Sequence, residues 1–364
     1  MNLNDYNFSR EDTNTAKGIA IILMMLHHLF RFPDRIKYPA HYLSLIPGMT
    51  PSPEFVIADF AKLCVAMFLF LSGYGLFAVY ERTGNFTFKD SLHRLRKFMI
   101  TYWTVFALFV PIGLIFFSGD PRYHFNLIRF IQNFFVISSS YNEEWWFART
   151  YLALLLSFPL ITYLLRNTKI ALASSLLLYV LSFLFLKYHN SPFLSFIQQL
   201  FLWQTSFMTG ALVKKYNLFT IASHKLSAFR NTKLISLLII ATLFIGREFL
   251  QVIFYQYLGK GDAFYFDFLL APIFIFFSVN LLSNLKIISI FGRHSTNIWL
   301  MHTFFAFYFF QSIIFFPRLS LLVFIWLSCL CILMSKVIEI ITNAIKSSLP
   351  YKKMARRNYV LRAK

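Results

Sequence analysis

Ten stretches of mostly apolar residues, each of membrane-crossing length, set the terms for this chain: 16–32, 55–80, 98–118, 146–165, 170–186, 195–213, 234–254, 264–282, 294–316 and 319–341. A span needs about 20 such residues, because the hydrocarbon core of a bilayer is about 30 Å thick. Within lipid the backbone must satisfy its own hydrogen bonds, and a helix does so locally. The expected fold is therefore all-α, a polytopic transmembrane helix bundle of about ten spans. Composition agrees. Only 14% of the residues are charged and 47 are Phe, against about 25% charged in ordinary soluble domains. The mean hydropathy is +0.60. These values exclude a soluble two-domain protein. The ninth stretch opens on polar residues (Gly292, His294, Ser295, Asn297), and segment 125–138 is too short to span, reading as a re-entrant or interfacial helix.

Basic residues orient the bundle. With the N-terminus inside, 23 of the 35 Lys and Arg fall in inner segments, 8 in outer ones and 4 within spans. Such a bias places both termini in the cytoplasm. It also accounts for the net charge of +20 without nucleic acid as a partner. The first apolar run ends in His27-His28 rather than in a small-residue cleavage site, so it reads as a retained span of a multi-pass plasma-membrane protein. Two units are expected: the transmembrane domain, 1–341, and a basic cytoplasmic tail, 342–364, attracted to anionic lipid. Cys64, Cys329 and Cys331 lie in apolar runs. An odd count there argues for packing rather than a disulfide framework.

Lys17 and His28 stand eleven positions apart in the first span. Eleven helical residues turn about 1100°, or three turns plus about 20°, so the two side chains share a face about 16 Å apart along the axis. Ionisable side chains inside a span are costly, and they mark function by default. His28 is also the residue type best suited to accept a proton near neutral pH. Its bland alternative is polar packing. His27 is turned about 100° away.

The other embedded charges divide the same way. Asp59 with Lys62 and Lys336 with Glu339 are spaced to neutralise themselves within a helix, and Arg247 with Asp267 could pair between helices. The KDSLHRLRKF segment (89–98) leaves two readings open: topogenic positive charge, or a phosphate clamp built from Arg94, Arg96 and Lys97. No HExxH, CxxC, acidic metal cluster, glycine-rich phosphate loop or GxSxG elbow occurs, so metal-dependent hydrolysis, nucleotide hydrolysis and α/β-hydrolase chemistry find no support.

Taken in order, KGIAIILMMLHH (17–28), FLFLSGY (68–74), the basic HRLRK segment, a Trp-Trp-Phe element opening the fourth span and FGRHSTNIWLMH (291–302) resemble the membrane-bound acyltransferase family 3. The likeness runs from about residue 15 to about residue 340. The family's Arg/Lys-(ten residues)-His hallmark falls on Lys17 and His28. Its second-span F-F-x-x-S-G-F/Y pattern falls on Phe68, Ser72, Gly73 and Tyr74, and its late G-x-x-S-x-x-I-Y-x-x-H pattern on Gly292, Ser295, Ile298 and His302. Leu69 replaces the second Phe, Lys17 stands where Arg is commoner, and Trp299 stands where Tyr is usual. The resemblance implies an O-acetyltransferase-like enzyme. It would move an acyl group, usually acetyl, from acyl-coenzyme A to a hydroxyl of a cell-surface glycan or lipid-linked sugar. On that reading Lys17, Arg94, Arg96 and Lys97 meet the donor's phosphates, and His28 is the general base. Ser72, Trp146 and His302 orient the acceptor or serve the oxyanion, and no metal or resident cofactor takes part. The rival reading is a transporter or flippase of acyl groups or glycan precursors. It favours internal repeats and paired broken helices, which the sequence pattern does not show.

Overall fold

The structure, a computed structural model, describes residues 8–185, 191–258 and 263–348. Among them it contains α-helices, short 3₁₀ and π turns and one isolated bridge between Leu43 and Leu319, but no strand. The helices are α1 (Arg10–Phe30), α2 (Pro53–Phe60), α3 (Cys64–Thr83), α4 (Phe88–Phe116), α5 (Leu127–Phe134), α6 (Trp146–Leu164) and α7 (Thr168–Leu184). They continue with α8 (Pro192–Lys215), α9 (Leu218–Ser227), α10 (Thr232–Leu258), α11 (Asp267–Leu282), α12 (Lys286–Thr303), α13 (Gln311–Ile314) and α14 (Ser320–Ser348). Six segments are long and apolar enough to cross a membrane: 53–83, 88–116, 143–164, 232–257, 263–282 and 320–348. Of the four remaining expected spans, α7 is apolar but has 17 residues, and α1, α8 and α12 are not among the six. Of the basic tail, only the part to Ser348 is described, as the end of α14.

Two glycine contacts fix the centre of the bundle. A Cβ on Gly18 would stand 1.9 Å from the Ile288 carbonyl oxygen, and one on Gly292 would stand 1.7 Å from that of Asn14. The backbones of α1 and α12 therefore touch at two points, a closeness that small residues permit between membrane helices. Gly73 and Gly210 do the same for α3 and α8, meeting the carbonyls of Phe207 and Phe70. The conspicuous glycines of FLFLSGY and FGRHST are thus crossing points. Helix α1 is started by a capping box, in which Ser9 Oγ accepts from the Asp12 amide and Asp12 accepts from the Ser9 amide.

Three expectations are corrected. The second span runs through 53–83 but is not one regular α-helix: a 3₁₀ turn at Ala61–Leu63 joins α2 to α3. The basic residues 93–97 lie on the first turns of α4 rather than in a loop, because Thr87 and Asp90 form a capping box that starts the helix at Phe88. The helix at the ninth expected span, α12, begins at Lys286 and ends at Thr303, where a π-helical turn, Phe304–Tyr308, takes over. Its polar start is sheltered from lipid: His294 Nδ1 and Asn297 Nδ2 each lie 2.9 Å from Ser335 Oγ on α14. Segment 125–138 forms the eight-residue α5, too short to span, with Phe125, Leu127, Ile128 and Ile131 exposed. Its amphipathic face suits an interface.

Candidate functional site

The crossing of α1 and α12 brings His28 against His302. Their rings lie 4.9 Å apart, with His28 Nδ1 2.7 Å from His302 Nε2. Hydrogen-bond logic assigns the protons. His302 Nδ1 is 3.0 Å from both the Ile298 and the Trp299 carbonyl oxygens, so it must carry the proton. In the neutral ring Nε2 is then an acceptor. His28 therefore donates from Nδ1, and its Nε2 holds a lone pair. A ring nitrogen with a lone pair, oriented by a second hydrogen-bonded ring, is chemically able to accept a proton.

Behind the pair stands an element that sequence reasoning passed over. Glu144 accepts from Tyr308 OH and from Arg35 Nη1, both at 2.7 Å, and its charge reaches His302. Asn142 donates to Thr303 Oγ1 at 2.9 Å, and Trp145 Nε1 donates to the Leu300 carbonyl at 2.9 Å. The segment before α6 is thereby tied to the end of α12 beside His302. Asn142, Glu143 and Glu144 precede the Trp-Trp-Phe element, and a carboxylate there was the available signal.

His28 lines a cavity of about 380 Å³ that it shares with His27, Arg35, Lys62, Glu144, Trp146 and Trp203. Lys17 lines a separate cavity of about 120 Å³ with Ser72, Tyr151, Ser295 and Thr296. Phe147 and Trp299 belong to the walls of both cavities. Their rings meet edge to face at 84°, 5.2 Å apart, a favoured aromatic geometry. The two chambers along α1 are divided by this pair.

Of the sequence-selected residues, His28, His302 and Trp146 are brought together. Lys17 lies in the other chamber with Ser72, whose hydroxyl donates to the Phe68 carbonyl at 2.7 Å. Ser72 is thus placed on the Lys17 side of the aromatic divide. Arg94 lies within electrostatic reach of Lys17, and Lys97 within that of Arg94. Arg96, two residues on from Arg94, is exposed.

The embedded charges pair across helices. The fully buried Arg247 binds Asp267 through Nε at 2.9 Å and Nη2 at 3.2 Å, and also donates to the Asp59 carbonyl at 3.2 Å. Asp59 accepts from Arg31. Glu339 lies 3.9 Å from His294. Interhelical pairing of this kind is what makes charges tolerable at membrane depth.

The sequence profile of the acyltransferase 3 family, described as an acyltransferase domain, matches residues 11–339. The chain belongs to this family. No curated protein and no solved structure matches it. The matched span holds every residue of the two chambers. Membership makes the chain a membrane acyltransferase.

Proposed function

We propose that the protein transfers an acetyl group from acetyl-coenzyme A, entering from the cytosol, to a hydroxyl of a glycan or lipid-linked sugar at the outer face of the plasma membrane. In this reading the chain crosses the membrane ten times, with both termini inside. The observation that carries the proposal is the His28–His302 pair, with His28 lining a cavity that shares Phe147 and Trp299 as walls with the Lys17 chamber.

The donor's phosphates meet Lys17, Arg94 and Lys97, whose charges suit phosphate, with Arg96 at the exposed rim. The narrow thioester arm must part the Phe147–Trp299 pair to cover the roughly 16 Å that eleven residues of α1 provide. At the far end His28 Nε2 takes the proton of the acceptor hydroxyl as its oxygen attacks the thioester carbonyl carbon. The carbon–sulfur bond then breaks, and the leaving thiolate takes the proton back from His28 Nε2. His302 keeps the reactive tautomer of His28 in place, and the Glu144 charge favours the transient imidazolium. A chamber closed by Trp146, Trp203 and Trp299 limits water, and with it wasteful thioester hydrolysis.

The test uses membranes containing the protein, acetyl-coenzyme A labelled in the acetyl group and a set of cell-envelope glycans. Label should reach an alkali-labile ester on the glycan and fail to do so with His28→Ala. Undiminished transfer by that variant overturns the assignment of the base. Movement of intact donor or glycan across the bilayer without ester formation favours a transporter.

A further inference from the structure

A second, smaller cavity of about 90 Å³ opens beside the His28 chamber, and His27, Phe32 and Lys62 line both. Its remaining walls come from Arg31, Asp59, Arg247, Gln251 and Phe264. We propose that this side pocket receives the hydroxyls of the acceptor's sugar ring that are not acylated, while the ring itself lies against Trp203. The inference rests on the acyltransferase reading and narrows its acceptor to a ring bearing a free hydroxyl next to the reactive one.

The histidine geometry leads to that class. His27 Nδ1 lies 2.7 Å from the Ala58 carbonyl, a contact that fixes the proton on Nδ1 and leaves Nε2 as an acceptor. The rings of His27 and His28 are 5.3 Å apart. Two rings so close, each with an acceptor nitrogen, can accept hydrogen bonds from hydroxyls at neighbouring positions of one sugar ring. The 3₁₀ turn at Ala61–Leu63 begins three residues after Ala58, whose carbonyl meets His27.

The pocket's polar groups are held in place. Asp267 and Asp59 secure Arg247, and Asp59 also engages Arg31 through Nε. Among the described residues no acceptor meets the two Nη groups of Arg31. The oxygen of Gln251 accepts the Ala263 amide at 2.8 Å, which orients its amide. Aromatic faces adjoin the polar floor: Trp203 and Phe264 stack at 22°, 5.7 Å apart, and Trp146 lies 6.4 Å from Trp203. Fixed polar groups beside flat aromatic walls suit a molecule with C–H faces and a hydroxylated edge, which is the chemistry of a pyranose. The same groups in an aliphatic pocket would suit no such ligand.

The experiment compares octyl β-D-glucopyranoside, below its micelle threshold, with 1-octanol as acceptors for the full-length protein in lipid nanodiscs. Octanol has the same chain and a hydroxyl but no ring. Gln251→Ala should raise KM for the glucoside by about tenfold, the scale of one lost hydrogen bond. The kinetics with octanol should not change. A glucoside KM that stays put, or a parallel loss with both alcohols, overturns the side pocket as a sugar seat. Glucoside binding, followed by tryptophan fluorescence in wild type and Gln251→Ala, separates the two proposals. Binding weakened in the variant without acetyl transfer in either protein keeps the seat and rejects the acyltransferase reading. No binding to the wild type rejects the seat.

Discussion

His302 dictates which nitrogen of His28 is free. With His302 Nδ1 held by the carbonyls of Ile298 and Trp299, its Nε2 can only accept, so the 2.7 Å contact must be a donation from His28 Nδ1. The lone pair on His28 Nε2 is a consequence of backbone carbonyls one helix away.

That relationship makes the pair act as a unit. His28→Ala should lower kcat by about 10²–10⁴-fold, the usual contribution of a general base. His302→Ala should lower it less, and the double variant should be no worse than His28→Ala alone. Steady-state rates with labelled donor decide this, and additive losses would show that the two rings act separately.

Lys17→Ala should raise KM for the donor with a smaller effect on kcat, because the residue lies in the chamber across the aromatic divide from His28. Lys17→Arg should retain the charge and most of the donor affinity. The check is a donor titration at fixed acceptor. An effect confined to acceptor KM would falsify this placement.

The aromatic divide should govern leakage. Trp299→Ala removes one half of the edge-to-face pair with Phe147 and joins the two chambers. Acetyl-coenzyme A hydrolysis in the absence of acceptor should then rise relative to transfer. Release of free thiol, measured with and without acceptor, reports the ratio. A ratio equal to that of the wild type rejects the pair as a barrier.

Arg247→Ala strands Asp267 inside the bundle and should destabilise it by about 3–5 kcal/mol. Arg247→Met together with Asp267→Leu should restore much of the loss, since no lone charge remains. Thermal unfolding in detergent provides the comparison. A double variant as unstable as the single one would argue that the pair does more than neutralise itself.

Gly292→Val should be among the most damaging single changes. The added Cβ alone would sit 1.7 Å from the Asn14 carbonyl, so α1 and α12 must separate and carry His28 away from His302. Yield of folded protein and transfer activity should fall together. Full activity at normal yield is incompatible with the crossing described here.

Much of this site was legible in the sequence. Apolar runs of span length foretold a helical membrane protein, and the spacing of Lys17 and His28 foretold two polar stations on one helix face. Period and length are local properties, so a sequence can display them. The late His302 was visible as a motif residue, and the cross-helix pairing of Arg247 with Asp267 was visible as an open possibility. Asp59 shows what spacing leaves out: beside its place three residues before Lys62, it accepts from Arg31 at the end of another helix.

The sequence by itself determined the all-helical class, the family and the stations of Lys17 and His28, because each depends on short-range pattern. Only the tertiary structure decided what those stations face. It set His302 against His28, put Ser72 in the Lys17 chamber, brought Glu144 behind the histidines and closed the path between chambers with Phe147 and Trp299. These contacts join residues up to 274 positions apart. They depend on helices meeting backbone to backbone at Gly18 and Gly292, and a pattern read along one chain does not say which helix a glycine will meet.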